Sequence, residues 1–366
     1  MNKKLKKIII ATGGTGGHVL PAYNLAKNFK KKNIDVEIIS DKRGINFLGQ
    51  LKDIKIVQIS STTIFKKNLF KSIYSIVIIF FAVIKSFIYL LNNKPSLVFG
   101  MGGYSSFPVC VAAKMLKIPF ILYENNLLIG KVNRYLIPYS EKIFVSYKEL
   151  EGVPEKFKDK IFETGNIIRE EIFILQNKKD YSQEPGKLKI LILGGSQAAK
   201  VFAEKLPEVF KLCKDSKIEL EIFQQCLPEQ NDLLSSFYNN TKINYEIFNF
   251  KNDILKYFSK SNLAISRSGA SMSAELINMR IPFISVPLPS SADNHQLKNS
   301  IYYNKKGFSY LIEEKDLNLK LFKLLKNISE NTSLLRQIID KQSQYSDKSV
   351  YENINKKIEK IINEKY

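Results

Sequence analysis

Residues 5–20, LKKIIIATGGTGGHVL, decide the fold: a strand-like run from Leu5 to Ala11, apolar from Ile8 onward, stops at Gly13-Gly14-Thr15-Gly16-Gly17-His18 and gives way to helix-forming residues. A β-branched run without polar alternation marks a strand covered on both faces, and strands of that kind belong to parallel sheets. The glycines after it let backbone amides approach a phosphate or a sugar, and the helix that follows adds the partial positive charge of its N-terminus. The same order recurs later, where the strand-like run Leu188 to Leu193 meets Gly194-Gly195-Ser196-Gln197 and a helical stretch from Ala198 to Cys213. A repeated strand, glycine turn and helix predicts an α/β protein of two Rossmann-like domains.

Outward from these stretches the alternation continues. Strands are predicted at Asp35 to Ser40, Lys55 to Ser60, Leu97 to Gly100, Pro119 to Tyr123 and Lys142 to Ser146 in the first half. In the second half they are predicted at Ile218 to Gln224, Ile243 to Phe248, Leu263 to Ser266 and Pro282 to Val286. The polar stretch from Asn177 to Lys189, with Pro185 and Gly186, carries no periodicity. The chain has 366 residues, 45% of them hydrophobic and 25% charged, which suits two domains with real cores and excludes a disordered or fibrous chain. The lysines at the start imitate a signal peptide, but the apolar run is too short for one and reads as the first strand. Three irregularly spaced cysteines, Cys110, Cys213 and Cys226, form no disulfide framework or metal motif.

The formal charge of +21 suits a phosphorylated substrate or an anionic membrane surface. No basic block interleaved with aromatics and no nucleic-acid module accompanies it, so no nucleic-acid partner is expected. From Ile73 to Leu91 the sequence IYSIVIIFFAVIKSFIYLL approaches the length of a membrane span. Strands of one sheet stand on both sides of it, so the preferred reading is a helix with one face on the sheet and the other in the membrane interface. A buried crossover helix is the second reading and a true span the third.

Further turns carry chemistry. Gly100-Met101-Gly102-Gly103-Tyr104 again joins a strand to a helix and offers a second phosphate cradle, with a tight packing turn as the alternative. Arg267-Ser268-Gly269-Ala270-Ser271-Met272-Ser273-Ala274-Glu275 presents small residues at a helix N-terminus, where amides face a diphosphate, and Glu275 could accept from ribose hydroxyls. In isolation Glu275 reads more simply as a solvated helix residue. Asp293-Asn294-His295-Gln296 suits a sugar's hydroxyls or a capped helix start. His18, one of two histidines, lies in the first glycine turn, which points it toward chemistry.

Together GGTGGHV, GMGGY, the YENN segment with Asn126, the GNIIR segment ending in Arg169, GGSQ, RSGA with Glu275, and DNHQ resemble the MurG family of GT-B glycosyltransferases over nearly the whole chain. The resemblance implies two Rossmann-like domains facing across a cleft. It places an acceptor and membrane-associating domain at 1–165, with 350–366 returning to it, and a donor domain at 166–349. It implies inverting transfer of N-acetylglucosamine from UDP-GlcNAc to lipid I at the cytoplasmic face of the plasma membrane. For the donor it implies Thr15, Gly16, Gly17, Asn126, Arg169, Ser196, Lys251, Ala270, Ser271, Met272, Glu275, His295 and Gln296. Gly14, Gly102, Gly103 and Tyr104 would hold the acceptor diphosphate, and His18 is the candidate catalytic base. No cofactor and no metal bound through side chains is called for, since no D-x-D pair stands in a metal-binding setting. Asn125 and His295 stand where the family commonly has glutamine.

Two other function classes compete. A nicotinamide-dependent oxidoreductase would use the first glycine turn and Asp41 as ribose ligand, although Val19 occupies the place of the third glycine in G-x-G-x-x-G. A non-catalytic protein could read a lipid phosphate through a basic, apolar surface.

Overall fold

The computed structural model describes residues 7–48, 53–61, 69–182, 184–195, 200–249 and 254–365. The chain forms two compact units, residues 1–168 with 347–366, and residues 169–346.

The first unit contains β1 (Lys7–Ala11), α1 (Gly16–Lys31), β2 (Asp35–Ser40), α2 (Lys42–Leu48), β3 (Lys55–Gln58), α3 (Leu69–Asn93), β4 (Leu97–Gly100) and α4 (Ser106–Met115). It continues with β5 (Phe120–Glu124), α5 (Lys131–Leu136), β6 (Ile143–Val145) and β7 (Ile161–Glu163). The second unit runs through α6 (Glu171–Gln176), β8 (Lys187–Leu193), α7 (Lys200–Asp215), β9 (Glu219–Gln225), α8 (Asn231–Thr241), β10 (Asn244–Phe248) and α9 (Leu255–Lys260). After these come β11 (Leu263–Ser266), α10 (Ala270–Asn278), β12 (Phe283–Ser285), α11 (His295–Lys305), β13 (Ser309–Leu311), α12 (Leu317–Glu330) and α13 (Ser333–Ser343). The last helix, α14 (Val350–Lys365), belongs to the first unit.

Among the described residues the first unit holds one sheet in the order β3-β2-β1-β4-β5-β6-β7, and the second holds β10-β9-β8-β11-β12-β13. Every strand pair in both sheets is parallel. The period of two along β1 shows why its residues are apolar from Ile8 to Ala11. Ile8 and Ile10 enter a core with Val19, Leu25 and Phe29 of α1 and with Ile354, Ile358 and Ile361 of α14. Ile9 and Ala11 enter the opposite core with Leu90 of α3 and Val109, Cys110 and Ala113 of α4. Neither face can be polar, so the strand reads as an unbroken apolar run.

Two strands, β7 and β13, were not legible in the sequence; each is three residues long and only partly buried. The predicted helix from Ala198 begins, within the described residues, at Lys200. Helix α3 corrects the reading of a buried crossover. It packs along α4, but what it buries is Ser75, Ala82, Ser86 and Leu90, while Tyr74, Ile76, Phe80, Phe81, Ile84 and Ile88 are exposed. Small residues spaced seven and four apart fall on one helix face and let α3 approach its neighbour closely. Near its C-terminal end, Tyr89 donates to the buried Glu37 carboxylate, which also takes Lys7 and Lys55, and Lys7 reaches Asn93 at 2.9 Å. The helix is fastened to the sheet by polar contacts while its apolar side faces outward.

The chain leaves and re-enters the first unit through segments that this unit holds side by side. Asp347 accepts from the Asn166 amide at 2.7 Å, Tyr123 Oη accepts from the Ile167 amide at 2.9 Å, and Tyr351 Oη donates to the Ile168 carbonyl at 2.6 Å.

Candidate active site

In each sheet the first strand lies inside, with successive strands added first to one side and then to the other. The order therefore reverses between β1 and β4, and between β8 and β11. At such a switch point the two following connections leave in opposite directions and open a crevice at the carboxyl ends of the strands. Both turns singled out in the first half, 13–17 and 101–104, follow β1 and β4; Gly194-Gly195 and Arg267 to Gly269 follow β8 and β11.

In the first unit the two turns are in contact. A Cβ on Gly13 would stand 2.2 Å from Ser105 Oγ and 2.8 Å from Asp41 Oδ1, so only glycine fits. Gly102 has φ of +81°, and a Cβ there would lie 3.3 Å from His18 Cε1, 3.4 Å from His18 Nδ1 and 3.5 Å from Asn133 Nδ2. The structure thus brings Gly14, Thr15, Gly16, Gly17 and His18 together with Gly102 and Gly103. Tyr104 follows them half-buried, its ring packed against the core that α4 shares with the sheet.

Asp41 is the anchor of this arrangement, which corrects its reading as a ribose ligand. Its Oδ1 accepts from the Gly14 amide at 3.0 Å and the Gly44 amide at 2.9 Å. Its Oδ2 accepts from Ser61 Oγ at 2.8 Å and from Arg43, and Ser105 Oγ in turn donates to Ser61 Oγ at 2.9 Å. Burial alone would raise the Asp41 carboxyl, but the bonds from Gly14, Gly44, Ser61 and Arg43 outweigh it and hold the pKa below 3.8.

Asn126 is half-buried at the exit of β5. Its amide group donates to Glu124 Oε1 at 3.0 Å and to Asn125 Oδ1 at 3.1 Å, while Asn125 Nδ2 donates to the Gly17 carbonyl at 3.0 Å. Glu124, buried, also accepts from the Gly130 amide at 2.9 Å and from Asn133 Nδ2 at 3.0 Å. The sequence reading did not single out Glu124. Its one signal was a carboxylate directly ahead of Asn125-Asn126 at a strand end.

In the second unit Arg169 and Glu275 meet: Arg169 Nε donates to Glu275 Oε1 at 2.8 Å. Glu275 is only 5% exposed, so the reading of a solvated helix residue fails. Its Oε2 is buried and has no hydrogen-bond partner among the described residues. Ala270, Ser271 and Met272 form the first turn of α10, behind Gly269 as N-cap, with no side-chain cap and no acidic residue there. His295 Nδ1 lies 2.7 Å from the Ala292 carbonyl, and Gln296 Oε1 accepts from the Leu288 amide at 3.0 Å, so both brace the turn ahead of α11. Ser196 and Lys251 lie outside the described residues.

Comparison with known proteins identifies the two units. The glycosyltransferase family 28 N-terminal domain matches residues 8–145, and the family 28 C-terminal domain matches residues 189–357. The UDP-N-acetylglucosamine--N-acetylmuramyl-(pentapeptide) pyrophosphoryl-undecaprenol N-acetylglucosamine transferase of Pelagibacter ubique (strain HTCC1062) is 35% identical over 361 residues, 98% of this chain and 99% of that protein. The chain belongs to the MurG family of glycosyltransferases. The identically named protein of Rickettsia bellii (strain RML369-C) is 33% identical over 339 residues, covering 90% of this chain and 94% of that protein. The crystal structure of Acinetobacter baumannii MurG superposes with a TM-score of 0.74 at 26% identity, covering 98% of this chain and 99% of that one. The fold of this MurG-family chain is therefore GT-B, with two parallel-sheet Rossmann-like domains. It is an enzyme, and both the oxidoreductase and the non-catalytic readings are set aside.

The Asp41 anchor makes a stability prediction. The native carboxyl is the stronger acid, so its contribution is present above the ordinary aspartate value of 3.8 and is lost as pH falls through the lowered native pKa. Asp41→Ala, which strands the Gly14 and Gly44 amides, should destabilise the protein by about 1 to 3 kcal/mol at neutral pH. In urea unfolding the gap to wild type should narrow on acidification below 3.8. A gap that stays constant or widens in acid would remove Asp41 as the anchor.

Proposed function

We propose that the protein transfers N-acetylglucosamine from UDP-GlcNAc, with inversion, to the C4 hydroxyl of the N-acetylmuramoyl residue of lipid I, giving lipid II for peptidoglycan synthesis. The observation that carries this reading is Glu275. A buried carboxylate with one oxygen fixed by Arg169 and the other without a partner among the described residues is costly unless a ligand completes it. Two adjacent hydroxyls of a ribose match the acceptor it offers, a turn inside a helix whose N-terminus suits a diphosphate.

In this reading Ala270, Ser271 and Met272 hold the diphosphate, and Arg169 holds the Glu275 carboxylate in the orientation the ribose needs. Thr15, Gly16, Gly17, Asn126, Ser196, Lys251, His295 and Gln296 complete the donor contacts. As the bond from the anomeric carbon to the diphosphate breaks, negative charge grows on UDP, and the amides at the start of α10 oppose it. His18 takes the proton of the attacking hydroxyl. Gly102 and Gly103 lie beside its ring, and with Gly14 and Tyr104 they would hold the acceptor's diphosphate.

The acceptor is lipid-linked, and α3 supplies a way to meet it. Phe80 and Phe81 are 60% and 63% exposed on the outward face, and Lys85 and Lys94 lie along the same helix and at its end. Lys66 and Lys67 ahead of it lie outside the described residues. We infer peripheral attachment to an anionic membrane surface on the cytoplasmic side of the plasma membrane, through apolar insertion and charge together.

Three outcomes test these assignments. Glu275→Ala should weaken UDP-GlcNAc binding by about 1 to 3 kcal/mol in calorimetry, and unchanged affinity would remove Glu275 from the pocket. His18→Ala should lower kcat by about 10² to 10⁴ with donor affinity nearly intact. A variant that loses donor binding yet turns over normally at saturation would make His18 a binding residue. Phe80→Ser with Phe81→Ser should abolish co-sedimentation with anionic vesicles without lowering Tm, whereas full retention on the vesicles would sink the α3 assignment.

A further inference from the structure

Beneath the start of α10 three serine hydroxyls close a ring. Ser268 Oγ lies 2.7 Å from Ser285 Oγ, Ser285 Oγ lies 2.8 Å from Ser300 Oγ, and Ser300 donates back to Ser268. All three side chains are fully buried. They come from three elements. Ser268 sits between β11 and α10, next to the N-cap Gly269; Ser285 ends β12; Ser300 lies in α11, one turn after Gln296, whose carbonyl is 3.0 Å from Ser300 Oγ. Asn299, also fully buried, donates from Nδ2 to the Ser268 carbonyl at 3.2 Å.

Hydroxyls in a dry core add little net stability, because each gives up water to gain its partner. What they do add is geometry. Apolar side chains of similar size would fill the space and still let the backbones slide, whereas a closed hydrogen-bonded ring fixes three backbones at one spacing. Here the spacing is that between the first amides of α10 and the first turn of α11. A nearby ion pair serves the same turn: Arg267 donates to the Val286 and Pro287 carbonyls at 3.3 Å each and to Glu314.

We propose that the Ser268–Ser285–Ser300 ring is a positioning element of the donor site, setting the amides that receive the diphosphate relative to Gln296. The proposal rests on the reading of α10 as the diphosphate site. Its members are fully buried and act through the backbone at the start of α10, so their effect belongs to the phosphates and not to the nucleoside.

The test compares UDP with uridine on the full-length enzyme carrying Ser285→Ala, Ser300→Ala or Ser300→Cys. Loss of the ring should weaken UDP binding and raise KM for UDP-GlcNAc by about 5- to 20-fold, the size of one or two mispositioned hydrogen bonds. Uridine affinity should be unchanged and kcat at saturating donor should stay within about twofold. Ser300→Cys, which keeps a weak donor of similar shape, should recover part of the UDP affinity. Variants with a lowered Tm but an unaltered ratio of UDP to uridine affinity would show that the ring only stabilises the fold, and would overturn the proposal. Wild-type protein that binds uridine but gains nothing from the diphosphate would instead overturn the donor-site reading on which it rests.

Discussion

Parallel strands cannot be joined by short turns, and each added strand requires a crossover that covers a face of the sheet. Placing β1 and β8 inside their sheets means that crossovers must depart on both sides, and where the direction changes nothing covers the strand ends. The rest of the molecule follows from this. Backbone amides at those ends face outward, the helices that begin there direct their positive ends to the same place, and the residues that fill the turns must be small. The two units solve this alike in topology but differently in anchoring. In the first, a carboxylate from the neighbouring strand end, Asp41, takes up the Gly14 amide and links through Ser61 to Ser105. In the second, the hydroxyl ring and Arg267 hold the turns, and among the described residues the carboxylate Glu275 is left with an oxygen to spare.

Much of this was legible in the sequence because the physics acts locally. Where a strand is covered on both faces it must be apolar at every position, so the runs Ile8 to Ala11 and Ile190 to Leu193 stand out directly, and glycine clusters after them locate both switch points. What the sequence did not disclose is direction. An acidic residue after the second strand is compatible with a ribose ligand and with a loop anchor, and only the positions of Gly14 and Gly44 decide that Asp41 is the latter. Glu124 went unnoticed for a similar reason. A lone carboxylate has no periodicity, and its four amide donors come from residues whose approach depends on how the segment from 124 to 133 folds back. Glu275 was reached through its motif, whereas its burial and its pairing with Arg169 are tertiary facts.

Helix α3 shows the same limit in another form. Its composition announced an apolar segment, but composition does not say which side is covered. The answer lay in the least conspicuous residues, Ser75, Ala82 and Ser86, whose spacing marks the side that meets α4.

That inversion, small residues inward and large apolar residues outward, divides the helix into two regimes of mutational tolerance. On the inner side volume is fixed by the neighbouring helix, and one added methylene group must displace something. On the outer side the bulky side chains are exposed and no described residue fixes their shape, so leucine, isoleucine and phenylalanine can replace one another at little cost. Sequence drift along α3 should therefore be fast at the bulky positions and slow at the small ones, the reverse of what a core helix shows. A helix that looks in composition like the most buried part of the chain is held in place by its least hydrophobic residues.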